Sequence, residues 1–445
     1  MNNRILIAGT HSGCGKTTVT CALLSALKAR GQEMVAFKCG PDYIDPMFHR
    51  QAIGVPSHNL DPFFCTGEQL RTMLAGQGSG LSLIEGVMGY YDGIGAEGRA
   101  STYDVSRETR TPVVLVVNTR GMYTSAGALL QGFRNFRPQN NLRGVIFNGA
   151  SPMLYEGLKG IAREAGLIPL GFLPYHAESA IASRHLGLIT ADEIADIRQK
   201  LCALGALAAQ SIDMDGLLEL AASASPLQAE TGKIKPIASV RIAVARDTAF
   251  CFLYEENLEM LRALGCELCF FSPLRDTALP AHIGGLYLPG GYPELHLEAL
   301  SANAVLRRAI RQAVAEGLPT IAECGGFLYL HDRLDGFPMA GVIPAKAYKT
   351  ERLQRFGYVI LTAKRDNLFC MAGESIRAHE FHYYESEACG QGFSAQKPVS
   401  GPAWECVHAT DSLYAGFPHL YFPVHPASVE RFVRKANQYA AANDS

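Results

Sequence analysis

An α/β fold in two domains, each on a mainly parallel sheet, is predicted by three features of the sequence. Short β-branched runs alternate with helical patterns over residues 1–175, a composition break follows near residue 225, and a second alternating series starts at residue 241. Near-continuous hydrophobicity in these runs marks strands buried on both faces of a parallel sheet. The 445 residues also exceed what one ordinary core organises, and two domains of about 200 residues are the natural division.

In the first series the predicted strands are Arg4–Ala8, Met34–Phe37, Leu81–Ile84, Pro112–Val117, Arg143–Phe147 and Ile168–Phe172. The segment Thr17–Lys28 puts Val19, Ala22, Leu23 and Leu27 on one helical face, and Gly31 stands where a helix would stop. Strand, loop and helix make a βα unit that opens a doubly wound sheet. From Ala221 to Ser239 the chain turns to Ala, Ser, Pro, Gln and Lys without a sustained pattern. The expected division is 1–225 for the first domain, 226–238 for a linker and 239–435 for the second. The second series comprises strands Arg241–Ala245, Glu267–Phe271, Gly285–Leu288 and Pro319–Glu323, with helices near Glu255–Leu264 and Ala304–Ala315.

Composition narrows the function. A net charge of −2 gives no bulk attraction to nucleic acid or to an acidic membrane. No apolar run approaches 18 residues, and Asn2, Asn3 and Arg4 lead into a run too short for a signal peptide. Twelve scattered cysteines suit a reduced, cytoplasmic protein. Cys266 and Cys269 have CxxC spacing, but on a strand an offset of three sends them to opposite faces, so neither metal nor redox use is expected.

The run Gly9-Thr10-His11-Ser12-Gly13-Cys14-Gly15-Lys16-Thr17-Thr18 joins the first strand to the first helix. Glycines such as Gly13 and Gly15 let backbone amides approach phosphate oxygens, and the helix behind presents its positive end. Lys16 would reach the β- and γ-phosphates of ATP, and the Thr17 hydroxyl would join a magnesium shell. The common pattern has glycine five residues before Gly15. Here that position is Thr10, with Gly9 one place earlier, so the loop is a variant. Three carboxylates are candidates for magnesium or substrate: Glu85 at the end of an apolar strand, and Asp42 and Asp45 in Lys38-Cys39-Gly40-Pro41-Asp42-Tyr43-Ile44-Asp45-Pro46. Each could equally be a cap or a turn residue.

In the second half, Thr320-Ile321-Ala322-Glu323-Cys324-Gly325-Gly326 runs from an apolar strand into a glycine pair. A strand–nucleophile–helix elbow exposes its side chain at a helix N-terminus, which favours thiolate. Upstream, Leu288-Pro289-Gly290-Gly291-Tyr292-Pro293 ends another strand. Gly291 and Gly325 could each present a backbone N–H to an oxyanion. A base is needed, and spacing does not choose among His379, His382, His408, His419 and His425. His379-Glu380-Phe381-His382 is not a zinc helix, since its second histidine comes one residue early.

These segments, with Asn59-Leu60-Asp61, Ile84–Gly93, Ser183–Leu188 and Arg377–Tyr383, resemble the cobalamin-pathway glutamine amidotransferases, the family of the cobyrinic acid a,c-diamide synthases. The resemblance spans almost the whole chain; the first half alone is also similar to dethiobiotin synthetase. It implies an N-terminal P-loop synthetase domain and a C-terminal class I glutamine amidotransferase-like domain. It further implies ATP-dependent phosphorylation of the a- and c-carboxylates of a corrin, then displacement of phosphate by ammonia from glutamine. Cys324 would be the glutaminase nucleophile and His419 its base, and Tyr43, Asp45 and Glu85 match positions tied to corrin activation and magnesium. Arg184 and His185 would suit a polycarboxylate substrate. Relatives usually read His-Leu-His-Phe where this chain has His419-Leu420-Tyr421-Phe422. Ordinary triad glutaminases carry an acid two residues after the histidine; Tyr421 cannot serve, so a Cys–His dyad or an acid from elsewhere is implied.

Two other readings compete. The same chemistry could act on hydrogenobyrinate or nickel-sirohydrochlorin. A P-loop ATPase switch with a degenerate glutaminase module is disfavoured, because Cys324, Gly291 and His419 are all present.

Overall fold

The protein is described by a computed structural model covering residues 3–76, 78, 80–175, 197–227 and 234–443. Its chain separates into two compact units, Met1–Thr231 and Gly232–Ser445. No described helix is long and apolar enough to cross a membrane.

Among the described residues the first unit holds seven strands: β1 (Arg4–Gly9), β2 (Met34–Cys39), β3 (Ser57–Leu60), β4 (Leu81–Glu85), β5 (Val113–Asn118), β6 (Leu142–Asn148) and β7 (Ile168–Leu173). They form one parallel sheet in the order β3-β2-β4-β1-β5-β6-β7. Six of them fall where the apolar runs predict. β3 was not predicted, because Ser-His-Asn-Leu offers no hydrophobic run, yet all four residues are buried. From β1 the chain winds to one side, then crosses from β4 to β5 on the other. A sheet that reverses its winding opens a crevice at the carboxyl ends of its strands.

Helix α1 (Lys16–Ala29) buries the predicted stripe Val19, Ala22, Leu23 and Leu27. Cys21, Leu24 and Ala26 are buried as well, because the helix Ile197–Ser211 packs along α1. Gly205 permits that approach: a Cβ there would stand 2.6 Å from the Ser25 hydroxyl. Gly31, at φ 77°, follows the last helical turn and donates its N–H to the Lys28 carbonyl.

In the second unit β8 (Val240–Ala245), β9 (Cys266–Phe271), β10 (Gly285–Leu288) and β11 (Thr320–Glu323) run parallel with the strand Leu413–Gly416. His408–Ala409 adds an antiparallel edge. Ile242, Val244, Tyr287 and Ile321 fill one face of this sheet, and Ala243, Leu286, Leu288 and Ala322 the other. Cys266 is buried and Cys269 partly exposed on β9.

Both units hold the mainly parallel sheet that the sequence predicts, and the second unit adds layers that the apolar runs do not announce. Two further sheets follow, of four and five strands, and the larger is antiparallel throughout. Their strands are not continuous apolar runs. Ile343–Lys349 begins buried, exposed, buried, exposed, the alternation of a strand with one wet face. The antiparallel pair Arg355–Ala363 and Ser375–His382 matters for function, since it receives the short strand His419–Leu420 on its edge.

Candidate active sites

The first site lies at the carboxyl ends of β1, β2 and β4. Gly13 and Gly15 take φ values of 81° and 98°, which open the loop into α1. Gly9 is required by contact: a Cβ would sit 2.5 Å from the Cys14 sulfur and 2.6 Å from Lys16 Cγ. Asn148, at the end of β6, braces the loop by donating to the Cys14 carbonyl at 3.0 Å. Lys16 arches back over the loop and donates to the His11 carbonyl at 3.2 Å. Thr17 and Thr18 occupy the first turn of α1, both partly exposed.

Beneath the loop is a buried charge cluster. Lys38 and Glu85 are register partners on β2 and β4, so their side chains emerge side by side. The Thr17 hydroxyl donates to Glu85 Oε1 at 2.6 Å and lies 3.4 Å from Asp45 Oδ2. Lys38 Nζ pairs with Asp45 and with Glu85 Oε1, the latter at 2.9 Å. His49 Nε2 stands 3.3 Å from the other Glu85 oxygen, while its Nδ1 meets the Ser57 hydroxyl at 3.0 Å. Burial alone would raise the Glu85 carboxyl, but Lys38, His49 and Thr17 together hold it well below the usual carboxylate range. Burial dominates at Asp45, with Asp42 and Glu85 adding to it, and its carboxyl is pushed up.

Asp42 plays a different part. Its Oδ1 accepts the N–H groups of Ile44 and Asp45, capping a short helix, and Oδ2 is 3.9 Å from Lys38. Tyr43 is buried at the start of that helix. Arg184 and His185 lie outside the described residues. Among the described residues no group of three or more His, Cys, Asp or Glu could hold a metal by itself. A hard divalent cation that keeps waters and phosphate oxygens needs fewer protein ligands than that.

The second site is at the carboxyl ends of β10 and β11. Cys324 turns out of β11 at φ 44° and ψ −100°, a conformation uncommon for a side-chain-bearing residue, and begins the helix Gly325–Tyr329. Its N–H is fixed by the Gly416 carbonyl at 2.8 Å. Backbone packing dictates the neighbouring glycines. A Cβ on Gly325 would lie 2.9 Å from the Gly291 nitrogen, on Gly326 2.1 Å from the Leu288 carbonyl, and on Gly290 2.4 Å from Cε1 of His419. Gly291 and Gly325 are thereby brought together, as an oxyanion hole requires, with His419 against the same turn.

Burial opposes the thiolate that the elbow favours. Burial pushes the Cys324 thiol far up, Glu294 adds to the effect, and the Gly325 N–H offsets it only in part. A helix of five residues offers little dipole against burial of this degree.

Four of the five histidines have other occupations. His379 pairs with His419 across adjacent strands, their rings 4.9 Å apart and 20° from parallel. His382 lies flat on Phe417 at 3.7 Å, with Nδ1 on the Tyr384 carbonyl. His408 bonds the Ala388 carbonyl and His425 the backbone of Arg377. Burial keeps His379, His382 and His425 neutral, the last two lowered to about 4. Tyr421 is buried edge-on against Tyr254. Glu323 Oε2 stands 3.8 Å from Nδ1 of His419.

Both halves of the chain match known domain families. The CobQ/CobB/MinD/ParA nucleotide binding domain matches residues 5–188, and the CobB/CobQ-like glutamine amidotransferase domain matches residues 241–421. A cobyrinate a,c-diamide synthase of Listeria innocua is 37% identical over 96% of this chain and 97% of its own. The chain belongs to the cobyrinate a,c-diamide synthase family. Enzymes of that name from Priestia megaterium and Thermoplasma volcanium are 37% and 36% identical over 98% of this chain, covering 97% and 98% of their own lengths.

Sequence reasoning about this family member missed four residues that the geometry brings in: Lys38, His49, Asn148 and Glu323. Lys38 and Glu323 carried a usable signal, a charged residue at the carboxyl end of a buried strand. His49 and Asn148 carried none, since their partners are remote in the chain.

Proposed function

We propose that this chain uses ATP and glutamine to amidate the a- and c-side-chain carboxylates of cobyrinate. The observation that carries the reading is the presence in one chain of a phosphate loop over a carboxylate–lysine cluster and of a cysteine elbow whose Gly325 packs on Gly291, in a turn where Gly290 packs on His419.

In the first domain, taken as residues 1–225, the loop amides and Lys16 bind the triphosphate of ATP. Thr17, Asp45 and Glu85 would hold Mg2+, with Asp42 nearby: they are converging hard oxygens of the kind that ion prefers. The ion would offset phosphate charge. A corrin carboxylate takes the γ-phosphoryl group, giving an acyl phosphate and ADP. Tyr43 and Asp45 border that reaction, and Arg184 and His185 bind further carboxylates of the corrin.

In the second domain, residues 239–435, the Cys324 sulfur attacks the glutamine amide carbon while His419 takes the thiol proton. Gly291 and Gly325 N–H groups receive the oxyanion. His419 returns the proton to the leaving nitrogen, ammonia departs, and water hydrolyses the thioester to glutamate. Ammonia then attacks the acyl phosphate and expels phosphate, leaving the amide. All twelve cysteines are free, which suits a cytoplasmic setting.

Incubation with cobyrinate, hydrogenobyrinate or nickel-sirohydrochlorin, each with glutamine and Mg-ATP, tests the substrate by mass spectrometry. Two amides added to cobyrinate are expected. Amidation of one of the others alone would overturn the assignment.

A further inference from the structure

An imidazole that accepts a proton on one nitrogen works best when a carboxylate holds the other. Position 421, where ordinary triad glutaminases carry that acid, is a tyrosine packed against Tyr254. The fold supplies a carboxylate from another strand. Glu323, the residue before the nucleophile, brings Oε2 to 3.8 Å from Nδ1 of His419, with both side chains at most 2% exposed.

That carboxylate is held from two sides. Its Oε1 accepts the Leu420 N–H and its Oε2 the Tyr287 hydroxyl, each at 3.2 Å. Asn257 extends the brace: its amide donates to the Leu420 carbonyl at 2.9 Å and to the Tyr287 oxygen at 3.4 Å, and its oxygen accepts the Phe422 N–H at 2.7 Å. Asn257, Tyr287 and Glu323 therefore clamp the segment bearing His419, while His379 stacks on the imidazole. We infer that Glu323 is the positioning acid of the glutamine site, orienting His419 and stabilising its charged form when it takes the Cys324 proton. The inference rests on the glutamine chemistry proposed above.

A purely structural role fits less well. Burying a carboxylate costs desolvation, which here raises its own affinity for a proton. A glutamine in its place would still accept from Leu420 N–H and could donate to the Tyr287 oxygen, without that cost. What only the carboxylate provides is charge beside His419. The 3.8 Å separation is a charge-pair distance, and catalytic hydrogen bonds are commonly long before substrate binds and shorten in the complex.

The test is Glu323→Gln in the full chain. Expected are an unchanged or higher melting temperature, a glutamine-dependent kcat lower by about 10²-fold with KM for glutamine within a few-fold, and ammonium-dependent amidation close to wild type. Glu323→Asp should recover part of the lost kcat. A glutamine-dependent kcat near wild type, a change in KM alone, or equal losses with glutamine and ammonium would each overturn the inference. Cys324→Ala run in parallel separates the two readings. If Cys324→Ala still uses glutamine, the site assignment itself has failed; if it does not, a wild-type Glu323→Gln sinks only the role of Glu323.

Discussion

Thr17 and Glu85, 68 positions apart in sequence, are joined by a 2.6 Å hydrogen bond from hydroxyl to carboxylate. That bond ties the first turn of α1 to the end of β4, and the proposed function places the nucleotide's cation at these oxygens. Lys16→Ala should lose at least 10³-fold in corrin amidation whether glutamine or ammonium supplies nitrogen, the scale expected for a charged clamp on phosphate. Glu85→Gln should likewise fail with both sources. Recovery of Lys16→Ala by ammonium would show that its part in activation has been misread.

Lys38 is the counter-charge for two buried carboxylates, and removing one partner of such a group leaves the rest uncompensated. Lys38→Met should lower the stability of the N-terminal domain by about 3–5 kcal/mol. Adding Glu85→Gln should cost less than the sum of the two single changes, because they share one network. Chemical denaturation followed domain by domain measures both. Strict additivity would mean that the cluster is not coupled.

The phosphate loop and the cysteine elbow were legible because each joins a buried strand to a helix through glycines, a pattern local in sequence. The base was not, since nothing local distinguishes His419 from His379, His382, His408 or His425. Only the pairing of His419–Leu420 with Ser375–His382 brings it to the turn at Gly290. Glu323 stood beside the nucleophile in plain view, but its partner lies 96 positions on and its role is set by packing. The opposing pull on the Cys324 thiol was hidden for a related reason: the helix dipole is read from sequence, whereas burial of Cys324 is not.

Gly290 is a steric requirement rather than a flexible joint, because a methyl group there would meet Cε1 of His419 at 2.4 Å. Gly290→Ala should displace the imidazole and lower glutamine-dependent amidation by at least 10-fold, while ammonium-dependent amidation stays near wild type. Steady-state assays with the two nitrogen sources decide it. Equal rates with glutamine would mean that the ring has room to move without consequence.

A thiol raised by burial should be sluggish toward alkylation in the absence of glutamine. At pH 7.5, iodoacetamide should label the exposed Cys202 well before Cys324, and Cys324 labelling should accelerate as pH rises. The sign follows from the shift: a higher thiol pKa leaves less thiolate at neutral pH, and each step upward restores some. Peptide mass spectrometry over a time course would show the order. Faster labelling of Cys324 would mean that it is ionised without substrate.

If, as proposed, ammonia alone connects the two chemistries, they must be separable by mutation. Cys324→Ala should abolish glutamine-dependent amidation, yet still amidate the corrin with high ammonium at alkaline pH, where free NH₃ is plentiful. His419→Ala should behave alike but less completely, since a nearby water can accept some of the proton that the imidazole would take. Lys16→Ala should show the reverse pattern, with amidation lost under every condition while glutamine hydrolysis persists at a basal level. The informative comparison is the ratio of glutamine- to ammonium-supported rates in each variant. That ratio should collapse for Cys324→Ala and His419→Ala, because only the first step of the relay is broken. Undiminished use of glutamine by Cys324→Ala would make the elbow a structural turn and leave the glycine pair beside it without a function.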